Sequence, residues 1–182
     1  MRRSIAALTA AFALTAGTVT LATAAEAPAA GAALPCPEIA KQFTAATEAA
    51  NRITPANAAT ALTDYMLSTN HAAQNLHGTL QQAASGQSLC ADPATEIPLL
   101  ADAVTKYAHT VTGKGGVFAT QPFLAAPVVA MNRQLEQALD VFFEAAVDAA
   151  PEDSADALKD SAQRAQDAIG KLIDSMQDQT LM

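Results

Sequence analysis

Chemistry needs particular side chains at particular spacings, and this chain of 182 residues offers few of them. Its three histidines are His71, His77 and His109. His71 and His77 fall on different sides of a helix, and neither forms the His-x-x-x-His or His-Glu-x-x-His pairing that converges on a metal. They read as surface or structural residues. Serine is plentiful, but there is no Gly-x-Ser-x-Gly elbow and no recognisable Ser-His-Asp or Cys-His arrangement, so no catalytic residue is assigned. Gly113-Lys114-Gly115-Gly116 resembles a phosphate loop only superficially, because it lacks the Gly-Lys-Ser/Thr ending and a preceding strand. It reads as a hinge or tight turn. Glu136, Asp140, Glu144 and Asp148 form an acidic ladder that invites a cation between helices. A ferritin-like site would need Glu-x-x-His motifs, and none exists, so the ladder reads as a solvated face and no metal or cofactor is expected.

The two cysteines, Cys36 and Cys90, carry the remaining chemistry. Neither has a second cysteine or a histidine at ligand spacing, and in an oxidising compartment a bridge between them is the expected outcome. Closing a loop of that length is worth about 4 kcal/mol on the chain-entropy view.

A different kind of site comes from bulk rather than reactivity. Phe43, Tyr65, Met66, Phe118, Phe123, Met131, Phe142 and Phe143 are the large side chains of an alanine-rich chain that has no tryptophan. They read either as plain core or as the lining of a cavity for an apolar ligand, since methionine adapts to irregular shapes. Phe43, Tyr65, Met66, Phe118, Phe123, Met131 and Phe142 are the expected lining, with Phe123, Met131 and Phe142 foremost.

Helices must position all of these. From Thr120 to Pro151 the residues Phe123, Leu124, Val128, Met131, Leu135, Leu139, Phe142 and Ala146 recur at steps of three and four, the spacing of one helix face. Ile39, Phe43, Ala46, Ala50 and Ile53 mark a first helix behind Pro37. Thr54-Pro55 reads as a cap and restart for a second, with Leu62, Tyr65, Met66, Thr69, Ala73, Leu76 and Leu80 running to about Ala84. A third starts at Asp92-Pro93 or at Thr95, carries Ile97, Leu100, Val104, Tyr107 and Val111, and holds Pro98 in its first turn. The fourth either begins near Ala126 or is kinked at Pro127, and Pro151 ends it. Leu158, Ala162, Ala165, Ile169, Leu172 and Met176 give the last helix the most regular heptad. No strand pattern competes. The fold class is all-α: an antiparallel bundle of four to five amphipathic helices with one disulfide, over residues 36–178.

Residues 1–25 read as a secretory signal peptide, with Arg2 and Arg3 before the apolar run from Ile5 to Leu21 and a small-residue cleavage site at Ala22-Thr23-Ala24. Residues 26–35 read as a flexible Ala/Pro/Gly linker. Removing the two arginines leaves eight basic residues against 18 acidic ones. Such an acidic chain does not seek nucleic acid or anionic lipid, and no later stretch is long enough to span a bilayer.

The second half is similar to a known family. An apolar helix from Leu99 to Val111 leads into Lys114-x-x-x-Phe118 and a join marked by glycine and proline. A long helix with Val128, Val129 and Leu135 follows, then a stop at Pro151 and an alanine-rich last helix. This plan resembles the fungal hydrophobic surface binding protein A and cell-wall galactomannoprotein family, from about Cys36 to Met176. The resemblance implies a secreted, non-enzymatic bundle that adsorbs to hydrophobic surfaces, where it can recruit a secreted hydrolase, or holds a fatty acid or similar lipid among its helices. The cysteine pair departs from the family's commonest pattern. No Ser/Thr-rich wall-attachment tail follows Met176, so free secretion is the expectation and cell-wall association the alternative. A competing reading is a helical effector or inhibitor that binds another protein.

Overall fold

The computed structural model describes residues 36–85 and 88–180. The signal peptide and linker expected over residues 1–35 lie outside them. Among the described residues there are five long helices and one short one: α1 (Cys36–Asn51), α2 (Ala58–Ala84), α3 (Pro93–Thr112), α4 (Gly115–Thr120), α5 (Pro122–Asp148) and α6 (Glu152–Thr180). No strand occurs among the described residues. The bundle class read from the periodicity is therefore the observed one, with α4 as an addition.

Each long helix packs against two others, in the closed order α1, α2, α5, α6, α3 and back to α1. Consecutive helices in the chain alternate in direction, as short connections require. A ring of five cannot alternate throughout, so some spatial neighbours must run the same way. Cys36 bonds Cys90, the Phe43 ring meets the Tyr107 ring, and Lys114 reaches Asn51, which makes α1 and α3 parallel. Gln121 reaches Pro55 and Asn132 reaches Tyr65, which makes α2 and α5 parallel. Gln166 donates to Asp140, and Arg133 faces the Gln177 amide, which makes α5 and α6 antiparallel.

Helix boundaries follow the prolines and glycines, with two differences from the periodicity alone and, in α5, a choice between its two alternatives. Thr54 does not cap α2. The helix starts at Ala58, and the Asn57 side chain turns back, accepting from the Thr54 N–H at 2.8 Å and donating to the Arg52 carbonyl at 3.0 Å. The turn thereby satisfies itself and consumes the residues that would have opened the helix. α3 begins at Pro93, so Pro98 sits in the second turn rather than the first. Its missing N–H leaves one carbonyl of the exposed Ala94-Thr95 turn to water. α5 begins at Pro122 and continues through Pro127, four residues earlier than a start at Ala126. The carbonyl deprived of a donor there is that of Phe123, again on an exposed residue.

The glycine cluster is only partly a turn. Gly113 and Lys114 make it, and Gly115-Gly116 open α4. Lys114 Nζ donates to the carbonyls of Asn51 at 2.8 Å and Ile53 at 3.0 Å. Helix α1 has no basic residue in its own last turn, and this lysine supplies one from across the fold.

Candidate functional site

The large side chains expected to line a cavity separate into three environments. Phe43, Tyr65, Phe118 and Phe142 are buried, Met66 and Met131 are half-buried against the core, and Phe123 is 71% exposed. The seven do not gather round one space. Two hollows of about 300 and 290 Å³ lie along the α5–α6 seam, both open to solvent. None of the seven lines either.

What occupies the middle of the ring is a polar cluster. Tyr65 of α2, Tyr107 of α3 and Asn132 of α5 come from helices of which α3 neighbours neither of the others, so their side chains meet only across the interior. The two hydroxyls are 2.7 Å apart, Tyr107 donates to Asn132 Oδ1 at 2.8 Å, and Asn132 Nδ2 donates to the Tyr65 oxygen at 3.0 Å. With Tyr107 committed to Asn132, the Tyr65 hydroxyl donates to Tyr107, and the three groups form a closed cycle. Asn132 spends its second N–H on the Val128 carbonyl at 2.8 Å, and the Thr69 hydroxyl stands 3.3 Å from the Tyr107 oxygen. The rings add their own contacts. Tyr65 stacks on Tyr107 at 6.2 Å, and Phe43 meets Tyr107 edge-on at 5.7 Å.

Burial holds both phenols in their neutral form. It pushes the Tyr65 hydroxyl above the ordinary phenol range, partly offset by the hydrogen bonds it makes, and pushes Tyr107 well above it, reinforced by the neighbouring Tyr65. Every donor and acceptor in the cycle has a partner and no member is open to solvent. The arrangement fixes how helices sit; it does not present a reactive group to a substrate.

Sequence reasoning placed Tyr65 and Tyr107 on apolar faces and overlooked Asn132. The available signal was an amide beside the stripe, one helical turn after Val128 and one residue after Met131. A buried Tyr or Asn needs a polar partner, so three such residues on separate core faces imply one another.

The remaining candidates are peripheral. His71, His77 and His109 are exposed on α2 and α3. In the acidic ladder Asp140, Glu144 and Asp148 are exposed, while Glu136 is half-buried over the seam. Its carboxyl is pushed above the usual range by desolvation and by Asp140 and Asp174, with Arg133 opposing. Cys36 and Cys90 form the expected disulfide, Cα to Cα 5.3 Å, tying the start of α1 to the loop before α3. Glu96 lies beside the two sulfurs, the one group of three potential metal ligands among the described residues. Its carboxylate accepts from the Ala91 N–H at 3.0 Å, and the bridge leaves no thiolate to bind a metal.

No family model, curated protein or solved structure matches this chain. The fold defines its class as a disulfide-bonded five-helix bundle.

Proposed function

We propose that this is a secreted, non-enzymatic binding protein that works from its outer surface, adsorbing at hydrophobic surfaces or holding an apolar ligand such as a fatty acid against the outside of the bundle. The observation that carries this reading is the contrast between Phe123 and the interior. The middle of the ring is occupied by a closed hydrogen-bonded cycle, which leaves an acyl chain no place there without breaking several buried hydrogen bonds. Phe123 instead offers a benzyl group to solvent at 71% exposure. Leu67, Leu99 and Val141 are also exposed, each about half, but they are dispersed over three helices, as single surface apolar residues commonly are. Burying a phenylalanine is worth roughly 2 kcal/mol, an anchor of useful size when neighbouring small residues are covered with it.

The reading is tested by mixing the purified mature chain with an alkane-in-water emulsion and, separately, titrating it with a long-chain fatty acid by calorimetry. Saturable adsorption to the emulsion, or saturable heat with thermal stabilisation, is the expected result. Absence of both overturns it.

A further inference from the structure

Besides 65–91, two stretches longer than ten residues among the described ones carry no charged residue: 53–63, the turn and opening of α2, and 115–132, which comprises α4 and the first half of α5. They are far apart in sequence, and the fold places them side by side. Gln121 Nε2 donates to the Pro55 carbonyl at 3.2 Å, joining the α4–α5 corner to the turn before α2. Pro55, Ala56, Ala119, Phe123 and Ala126 are exposed there, giving one end of the bundle a surface of small apolar residues with an aromatic at its tip. Of the flanking charges, Lys114 is turned onto the carbonyls that end α1 and Arg133 faces the Gln177 amide, while Arg52, next to 53–63, and Asp178, near the end of α6, are exposed at its rim.

The opposite end has the reverse character. Because α5 and α6 are antiparallel, the acids that close α5 and open α6 gather there: Glu144, Asp148, Glu152, Asp153 and Asp156, all exposed. Lys159 is the cation nearest to them in sequence. The two ends of the bundle thus differ in how densely they carry acids.

We infer that the Phe123 end is the docking face, and that its partner is an uncharged apolar surface of the alkane or triacylglycerol kind, on which the bundle stands with its acidic end in water. This rests on the surface-binding reading above and adds the orientation. Charge distribution selects the partner. Seating 53–63 and 115–132 on an apolar boundary requires no ionised group of these stretches to be dehydrated, whereas turning the acidic end toward it would strip water from several carboxylates at large cost.

The absence of tryptophan allows a direct readout. The variants Phe123→Trp and Leu99→Trp each introduce a single indole, the second near the start of α3, at the other end. On addition of an alkane emulsion, Phe123→Trp is expected to shift its emission to the blue while Leu99→Trp stays unchanged. Phe123→Asp is expected to weaken adsorption at least tenfold, with Leu99→Asp within twofold of the native chain and both variants keeping the native circular dichroism. If the native chain adsorbs but Phe123→Asp adsorbs equally well, or Leu99→Trp shifts instead, the orientation is wrong and the broader reading stands. Failure of the native chain to adsorb overturns the inference and leaves the broader reading to the fatty-acid titration. A blue shift of Phe123→Trp on raising protein concentration alone, with a doubled sedimenting mass, assigns the face to a second copy and overturns the inference. A shift seen only with anionic vesicles and abolished by salt does the same in favour of a charged lipid.

Discussion

The hydroxyls of Tyr65 and Tyr107 lie 2.7 Å apart between rings stacked within 11° of parallel, with Asn132 closing the cycle on the third side. The three residues tie α2, α3 and α5 together at one level of the bundle. In an alanine-rich interior, where small side chains define few unique packings, a polar cycle of this kind selects one register, because any slip leaves buried donors and acceptors unpaired.

Tyr107→Phe is accordingly expected to cost about 2 kcal/mol, since it removes the donor to Asn132 and the acceptor used by Tyr65 while leaving their polar atoms buried. Replacing the cycle as a whole, with Tyr65→Phe, Tyr107→Phe and Asn132→Leu together, is expected to cost less than the sum of the three single changes. Urea unfolding of the four variants measures both. Additive costs would show that the three groups act independently.

Alkaline pH should unfold the protein cooperatively. Both phenols have folded pKa values raised above the ordinary 10.0, so the neutral state that the fold requires is matched by the unfolded chain below about pH 10. Above that pH the unfolded phenols ionise first, and stability falls as pH climbs toward the folded values. Denaturation midpoints between about pH 8 and 11 test the sign, and the variant with both tyrosines changed to phenylalanine should have a flatter profile in that window.

Opening the Cys36–Cys90 bridge is expected to lower stability by about 4 kcal/mol on the chain-entropy estimate, with the helices retained under native conditions. Its partners stand at the start of α1 and just before α3, neighbours in the ring whose packing does not depend on the bridge alone. Thermal unfolding followed by circular dichroism, with the double variant Cys36→Ala, Cys90→Ala beside the native chain, gives the difference.

Lys114→Met should destabilise by about 1 kcal/mol, a modest figure because the ammonium is partly solvated. The lost interactions are charge-assisted bonds to the carbonyls at the end of α1, so hydrogen exchange should accelerate most in the last turn of that helix. Equal acceleration throughout the bundle would instead indicate a general packing defect.

Helix number, helix faces and the disulfide were legible from residues alone because each has a local or compositional cause. Apolar residues at steps of three and four demand a buried face, prolines and glycines delimit the runs, and two cysteines in a chain read as exported pair by elimination. Near the prolines the residues alone do not decide. A proline costs one hydrogen bond, and whether a helix continues through it depends on whether the freed carbonyl reaches water, which is a property of the folded surface. The start of α5 at Pro122 was decided in that way.

The fate of the large side chains was a tertiary matter entirely. Periodicity says that a face is buried, but not which faces meet, so Phe43, Tyr65 and Phe118 could equally have lined a space or filled one. The ring order of the helices brings Tyr65, Tyr107 and Asn132 within hydrogen-bonding reach from separate faces. The same ordering set two uncharged stretches side by side and left Phe123 in water. Sequence determined what each helix must bury, since that follows from side-chain type and a fixed angular step; only tertiary structure decided what each buried or exposed group stands beside, since that depends on contacts between residues far apart in the chain.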